Sequence, residues 1–287
     1  MKTIVVRSLS GLVYVILTFL CTTSFLSDFL YIYLDLKIPS EYFLYFLMTL
    51  FMTGCLLETI RLLKYSHFIY KIFTFGLVGI IYYSFTQSYF NSSFNFTMLQ
   101  WKYIFLLLLF ALAATTLFRF SEELSTDSAK LIFTASYLGV PFSLSLAIPG
   151  SNDPLTSEVF YVFLLIWISD SFAYLVGSKF GKRKLSPKIS PNKSVEGLIG
   201  GLFFTIAAGI ILEIFNSGLK GNWIVISVII AIFAPIGDLA ESKLKRMFKV
   251  KDSGNLMPGH GGILDRLDSF IFCIPAIFTY YLITAIL

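Results

Sequence analysis

From Glu241 to Asp268 the chain reads ESKLKRMFKVKDSGNLMPGHGGILDRLD, 28 positions with six Lys/Arg, four acidic residues, four glycines and one of the two histidines. Charged residues make up only 14% of the 287 positions, so this concentration stands out. Asp265 and Asp268, at i and i+3 where an apolar run begins, share one helical face. Upstream, Asp238, Glu241, Ser242, Lys245 and Lys249 recur at i+3/i+4, a face that passes from acidic to basic. That order suits a polyphosphate carrying a divalent cation, with carboxylates on the metal and lysines on the remaining charge. Oxygen ligands with no cysteine and a single nearby histidine favour Mg2+ or Mn2+ over Zn2+, with the number of ions left open. Gly254, Gly259, Gly261 and Gly262 allow backbone conformations other residues avoid. His260, between them, either polarises a phosphate or holds the loop.

Asp170 lies inside another apolar run, about seven residues or about 10 Å from its end. A carboxylate at that depth needs a cation partner facing the bundle interior, either a metal or a basic side chain. The loop that follows, KFGKRKLSPKISPNKSVEGLIGG, carries six basic residues from Lys179 to Lys193, interleaved with Ser186, Ser190 and Ser194. Ser194 is placed to cap a helix starting near Val195. Free backbone N–H groups there, the helix dipole and Lys193 predict an anion site, although the stretch is not a Walker sequence. Glu58 is a further carboxylate in an apolar run, read as functional or as a structural group beside Arg61.

The elements that must position these residues are apolar. Hydrophobic residues form 56% of the chain, aromatic residues 17%, and the mean hydropathy is +0.80, which excludes a soluble globular domain. The fold class expected is an all-α polytopic integral membrane protein. Runs of about 20 apolar residues give nine spans, at 9–27, 42–63, 68–90, 101–119, 130–149, 157–177, 195–215, 222–240 and 267–286. Residues 1–150 then form an N-terminal region of five spans, and 151–287 a catalytic region of four spans with loops 178–194 and 241–266. The first run lacks a small-residue cleavage site and reads as an uncleaved span. The 28–40 piece is either a loop or a short interfacial turn. Placing the N-terminus in the cytoplasm puts 19 of the 22 Lys/Arg on the inside, leaving Lys37, Lys102 and Lys220 outside. Both charged loops then face the cytoplasm. The net charge of +5 is the sum of that bias and suits anionic headgroups of the lipid bilayer, with no nucleic-acid partner needed. Cys21, Cys55 and Cys273 show no metal or disulfide spacing and read as packing residues. The oligomeric state is open, a homodimer included.

These residues resemble the bacterial-type phosphatidate cytidylyltransferases, or CDP-diacylglycerol synthases. The family's C-terminal signature is similar to Ser242, Lys245-Arg246, Lys251-Asp252, Gly254, Pro258, His260-Gly261-Gly262, Asp265-Arg266 and Asp268, in order and spacing. Trp167, Asp170, Ala173-Tyr174, Ser190-Pro191, Lys193-Ser194, Glu196-Gly197 and Gly237-Asp238 extend the likeness upstream. Where members often carry Lys-Lys-Thr, this chain has Asn192-Lys193-Ser194, one lysine fewer with the hydroxyl kept. The resemblance implies that CTP and phosphatidate are converted to CDP-diacylglycerol and pyrophosphate with Mg2+ required, at the inner (cytoplasmic) membrane and with the active site facing the cytoplasm. Asp238 and Asp265 are then expected as principal metal ligands, with Asp170 and Asp268 in or next to the coordination sphere. Asp238, Asp265, Asp268, Lys245, Arg246 and His260 are the expected catalytic set. Lys193, Ser190, Ser194, Ser242, Lys251, Asp252, Gly261, Gly262 and Arg266 are expected to bind substrate. The base specificity rests on the resemblance alone. A CTP-dependent polyprenol or dolichol kinase would use similar loops, and an anion transporter would need a polar path and a repeat that the sequence lacks.

Overall fold

In the computed structural model, residues 2–90, 100–119, 123–148, 156–215, 218–257 and 261–286 are described, and most are helical. The chain opens on α1 (Lys2–Thr22) and α2 (Phe25–Leu34), bent by 74° to one another. Thr22 and Thr23 turn their hydroxyls back on the carbonyls of Thr18 and Phe19, at 2.6 and 2.7 Å, at the bend. The undecided 28–40 piece is therefore largely this short second helix, with Tyr31, Ile32, Tyr33 and Leu34 all exposed. Then follow α3 (Ser40–Leu63), α4 (Phe68–Phe90), α5 (Gln100–Arg119), α6 (Asp127–Thr134), a π-helical turn (Ala135–Gly139), α7 (Val140–Ser145) and α8 (Thr156–Phe180). A hairpin of β1 (Lys184–Ser186) and β2 (Ser190–Ser194) leads into α9 (Val195–Phe215), α10 (Trp223–Met247) and α11 (Leu264–Ile286).

Seven of these helices, α3, α4, α5, α8, α9, α10 and α11, are long and apolar enough to cross a membrane, and the bent pair would make eight. This is a polytopic, helical membrane fold; among the described residues the expected count of nine is not confirmed. The span expected at 130–149 falls on α6, the π turn and α7, which follow one another without a gap from Asp127 to Ser145, with every residue from 133 to 148 buried. Pro141 cannot donate to the carbonyl one turn back, where the regular ladder is broken. The run is part of the core and packs against its neighbours. Phe133 stacks on Tyr137 at 5.1 Å, and Tyr137 meets Phe272 of α11 edge-on at 6.2 Å. Phe270, Ile271, Ile274, Ile277 and Phe278 make α11 the inner post of the bundle. The three cysteines are buried and unpaired, as packing residues are.

Arg61, Lys64, Arg119, Lys130 and Lys243 gather where α3, α5 and α10 end and α6 begins. There Lys130 donates to the carbonyl of Lys64 at 3.1 Å and Lys243 to that of Phe118 at 2.5 Å, tying the ends of α3, α5, α6 and α10. Asp127 accepts the amides of Ser66 (3.0 Å) and His67 (2.8 Å), and those bonds hold its carboxyl well below the usual carboxylate range. At the far end Glu213 accepts the Trp223 amide at 2.6 Å and Tyr281 donates to the Lys220 carbonyl at 2.9 Å.

Candidate active site

The 178–194 stretch is a hairpin fixed by its own turn. Lys184 pairs with Ser194 and Ser186 with Ser190, while the Ile189 amide closes on the Ser186 carbonyl at 3.3 Å. Pro187, second in that turn, presets the φ it needs. The Arg246 Nε reaches the Ile189 carbonyl at 3.4 Å and its guanidinium the Val250 carbonyl at 3.1 Å, so Arg246 ties the hairpin tip to the end of α10. Ser194 accepts the Gly197 amide at 3.1 Å, as an N-cap does. The expected free donors at the start of α9 are not free, however. Val195 donates to the Arg183 carbonyl at 2.9 Å, and the Glu196 carboxylate sits beside them, accepting the amides of Lys182 (2.9 Å) and Arg183 (3.1 Å). A phosphate there would meet a carboxylate.

Helix α9 runs against α8 at backbone contact. A Cβ on Gly197 would lie 2.6 Å from the Ala173 carbonyl oxygen, and one on Gly201 2.9 Å from that of Ser169. This contact and the hairpin bring Lys193 onto Asp238 of α10, where the two form an ion pair. On the other side α10 touches α11: a Cβ on Gly237 would lie 2.4 Å from the Asp268 carbonyl oxygen, and Ser269 donates to the Ala234 carbonyl at 3.0 Å. Asp238 and Asp268 are thereby neighbours from adjoining helices. Asp170 of α8 acts electrostatically on Asp268 and feels Asp238, Lys193 and Arg266 in return. Asp268 lies at the buried bottom, Asp238 and Lys193 are half-buried, and Asp170 and Arg266 are exposed. Of the two partners expected for Asp170, basic side chains are present: Lys193 and Arg266 both act on its carboxylate. Ser242 donates to Asp238 at 3.4 Å from one turn along α10.

A second cluster adjoins the first. Lys245 stands 2.5 Å from both Glu241 and Asp265, and Glu241 is fully buried. Asp265 also accepts the amides of Gly262 (2.7 Å) and Ser253 (3.1 Å). Asp265, expected to share a metal with Asp238, is thus engaged by the chain's own donors. Lys251 and Asp252 are exposed on the loop, Ser190 opens β2, and Gly261 adopts φ +86, the left-handed region that favours glycine. The Met257 amide donates to the Gly261 carbonyl at 3.0 Å, joining the ends of the segment that contains Pro258, Gly259 and His260. His260, expected to be catalytic, lies outside the described residues.

A profile of the cytidylyltransferase family matches residues 16–284, nearly the whole chain. The chain belongs to the cytidylyltransferase family. Relatives named phosphatidate cytidylyltransferase include one from Staphylococcus haemolyticus, 43% identical over 151 residues, 52% of this chain and 57% of that protein. One from Bacillus subtilis is 40% identical over 183 residues, 63% of this chain and 65% of that protein. These alignments span a little over half the length of the Staphylococcus relative and just under two thirds of the Bacillus one.

Against the metal expected from the sequence, the donor set of Asp170, Asp238 and Asp268 is all carboxylate oxygen, which fits a hard divalent cation in charge and chemistry. Among the described residues no three His, Cys, Asp or Glu are already gathered as a metal cage. Sequence reasoning missed Ser253 and the role of Glu241 against Lys245, though the i, i+4 spacing of the latter pair was on the page. The contact at Gly237 yields an expected outcome: Gly237→Ala would press on the α11 backbone, lowering stability by about 1–3 kcal/mol and displacing Asp268. Thermal unfolding in detergent checks this, and an unchanged midpoint would show that the helices separate without cost.

Proposed function

We propose that this protein transfers the cytidylyl group of CTP to phosphatidate, giving CDP-diacylglycerol and pyrophosphate. Membership of the family and the names of the relatives support the reading. The observation that carries it is the grouping of three carboxylates, Asp170 of α8, Asp238 of α10 and Asp268 of α11, with the cations Lys193 and Arg266. A lipid phosphate at headgroup level and a soluble nucleotide from the cytoplasm can both reach such a place. It would lie at the cytoplasmic face of the inner membrane, where basic loop residues accumulate.

In the reaction an oxygen of the phosphatidate phosphate bonds to the α-phosphorus of CTP. The bond from that phosphorus to the oxygen bridging to the β-phosphate breaks, and pyrophosphate leaves with the electron pair. A phosphomonoester has its second pKa at about 6 and is largely ionised at neutral pH, so no strong general base is required. The chain's task is positioning and neutralisation. Lys193 and Arg266 would meet phosphate oxygens, Lys251 and Asp252 would line the nucleotide's approach, and Asp170, Asp238 and Asp268 would hold Mg2+. That ion, when bound, withdraws charge from the phosphoryl oxygens.

The test is to incubate purified protein with Mg2+, phosphatidate and CTP labelled on the α-phosphate. Label entering the lipid phase as pyrophosphate is released is the expected result. Label left in water as CDP while the lipid gains a phosphate would replace this reading with a lipid kinase.

A further inference from the structure

Glu58 of α3 has no exposed surface, and its carboxylate is directed at a segment about two hundred residues further along. One oxygen accepts the Ile263 amide at 3.0 Å. The other accepts the Leu264 amide at 2.9 Å and the Ser253 hydroxyl at 3.0 Å. Ile263 and Leu264 lead into α11, so these are amides the helix cannot satisfy itself, at the positive end of its dipole. Two glycines make room for the carboxylate. A Cβ on Gly254 would lie 2.5 Å from one Glu58 oxygen, and one on Gly262 2.3 Å from the other. One turn back along α3, Gly54 admits the Ile263 side chain, whose Cδ1 a Cβ there would meet at 2.5 Å. From the opposite side Asp265 takes the amides of Ser253 and Gly262. Ser253 and residues 262–264 are therefore held between a carboxylate of the N-terminal half and one of the C-terminal half.

We propose that Glu58 is a positioning residue for the nucleotide: by holding Ser253, Ile263 and Leu264 it sets the places of the adjoining Asp252, Gly261 and Arg266, which meet CTP. The inference rests on the transfer reaction proposed above. A role in folding alone would reduce the amount of native enzyme and leave both KM values unchanged. Positioning instead raises the KM for CTP and leaves that for phosphatidate alone.

The experiment uses the full-length protein in detergent with Glu58→Gln, which keeps the size and one acceptor, and with Ser253→Ala, which removes one partner. Glu58→Gln is expected to raise the KM for CTP about tenfold and Ser253→Ala about threefold, in line with the loss of hydrogen bonds to a charged group. Hydrogen exchange of the 253–264 amides is followed in the same samples with CTP and Mg2+ but no lipid. CTP is expected to slow exchange in the parent and to do so less in Glu58→Gln. Loss of that protection in the variant would sustain the positioning role even if the parent made no CDP-diacylglycerol, and only the transfer reading would fall. Parent KM values and full CTP protection in both variants, with transfer intact, would overturn it. Should Glu58→Gln fail to fold, the KM and exchange of Ser253→Ala decide alone.

Discussion

Asp238→Asn is expected to lower cytidylyl transfer by about 10²–10³-fold, the scale of losing one charge that stabilises a phosphoryl transition state. It should shift the thermal midpoint by less than about 2 °C. The two effects separate because the Asp238 side chain is 35% exposed and its partner Lys193 25% exposed, so their ion pair is half in solvent and worth little to the fold. The carboxylate matters instead for what it faces. Asp170 and Asp268 share its field, and Arg266 acts on Asp170 as Lys193 does. Asparagine keeps the shape and removes one negative charge from the trio, so the site would hold a divalent cation more weakly. Initial rates of label transfer at increasing Mg2+ check this: the variant should need more Mg2+ and still fall short of the parent rate. Parent turnover in Asp238→Asn would place the transfer chemistry elsewhere.

What the sequence made legible follows from how local each feature is. Asp170, Asp238 and Asp268 were readable as candidates because charge in or beside an apolar run is costly and needs a reason, and Lys193 because it stands in a dense basic loop. Their convergence depends on helix contacts at Gly197, Gly201 and Gly237, where glycine marks a close approach without naming the partner. Asp265 and Asp268 stand three residues apart and seemed to serve one cation. Asp265 instead reaches back to the Gly262 amide, much as the acidic residue of a capping box does, a local signal that spacing to Asp268 obscured. The start of α9 was only half legible for a related reason. Ser194 caps as read, but Glu196 and the Arg183 carbonyl, set by the hairpin, take up the space and the Val195 amide. Hydropathy marked the run at 130–149 but not its direction; Ser136, Ser143, Ser145 and Pro141 inside it were the hint of a buried helix with an irregular turn. Glu58 stood out as a carboxylate in an apolar helix, but Ser253 lies 195 residues away and no local pattern links them.

Lys245→Met is expected to cost about 3–5 kcal/mol of stability, the penalty for leaving a buried charge without its partner. Lys245 is 12% exposed and is the cation that Glu241 and Asp265 share at 2.5 Å each. With it gone, two carboxylates face one another, and Glu241 has no exposed surface through which water might compensate. Asp265 is better placed, since the amides of Ser253 and Gly262 still reach it. The strain of the variant therefore falls mainly on Glu241. Pairing Lys245→Met with Glu241→Gln removes that charge while keeping the size, and should recover more than half of the lost stability. Transfer should not return with it, because the cation beside Asp265, at the start of the helix that carries Asp268, is still missing. Thermal midpoints and initial rates measured on the parent, the single variant and the pair separate the two roles. Recovery of both would reduce Lys245 to a structural counter-ion, and recovery of neither would mean that Glu241 is not the group that Lys245 neutralises.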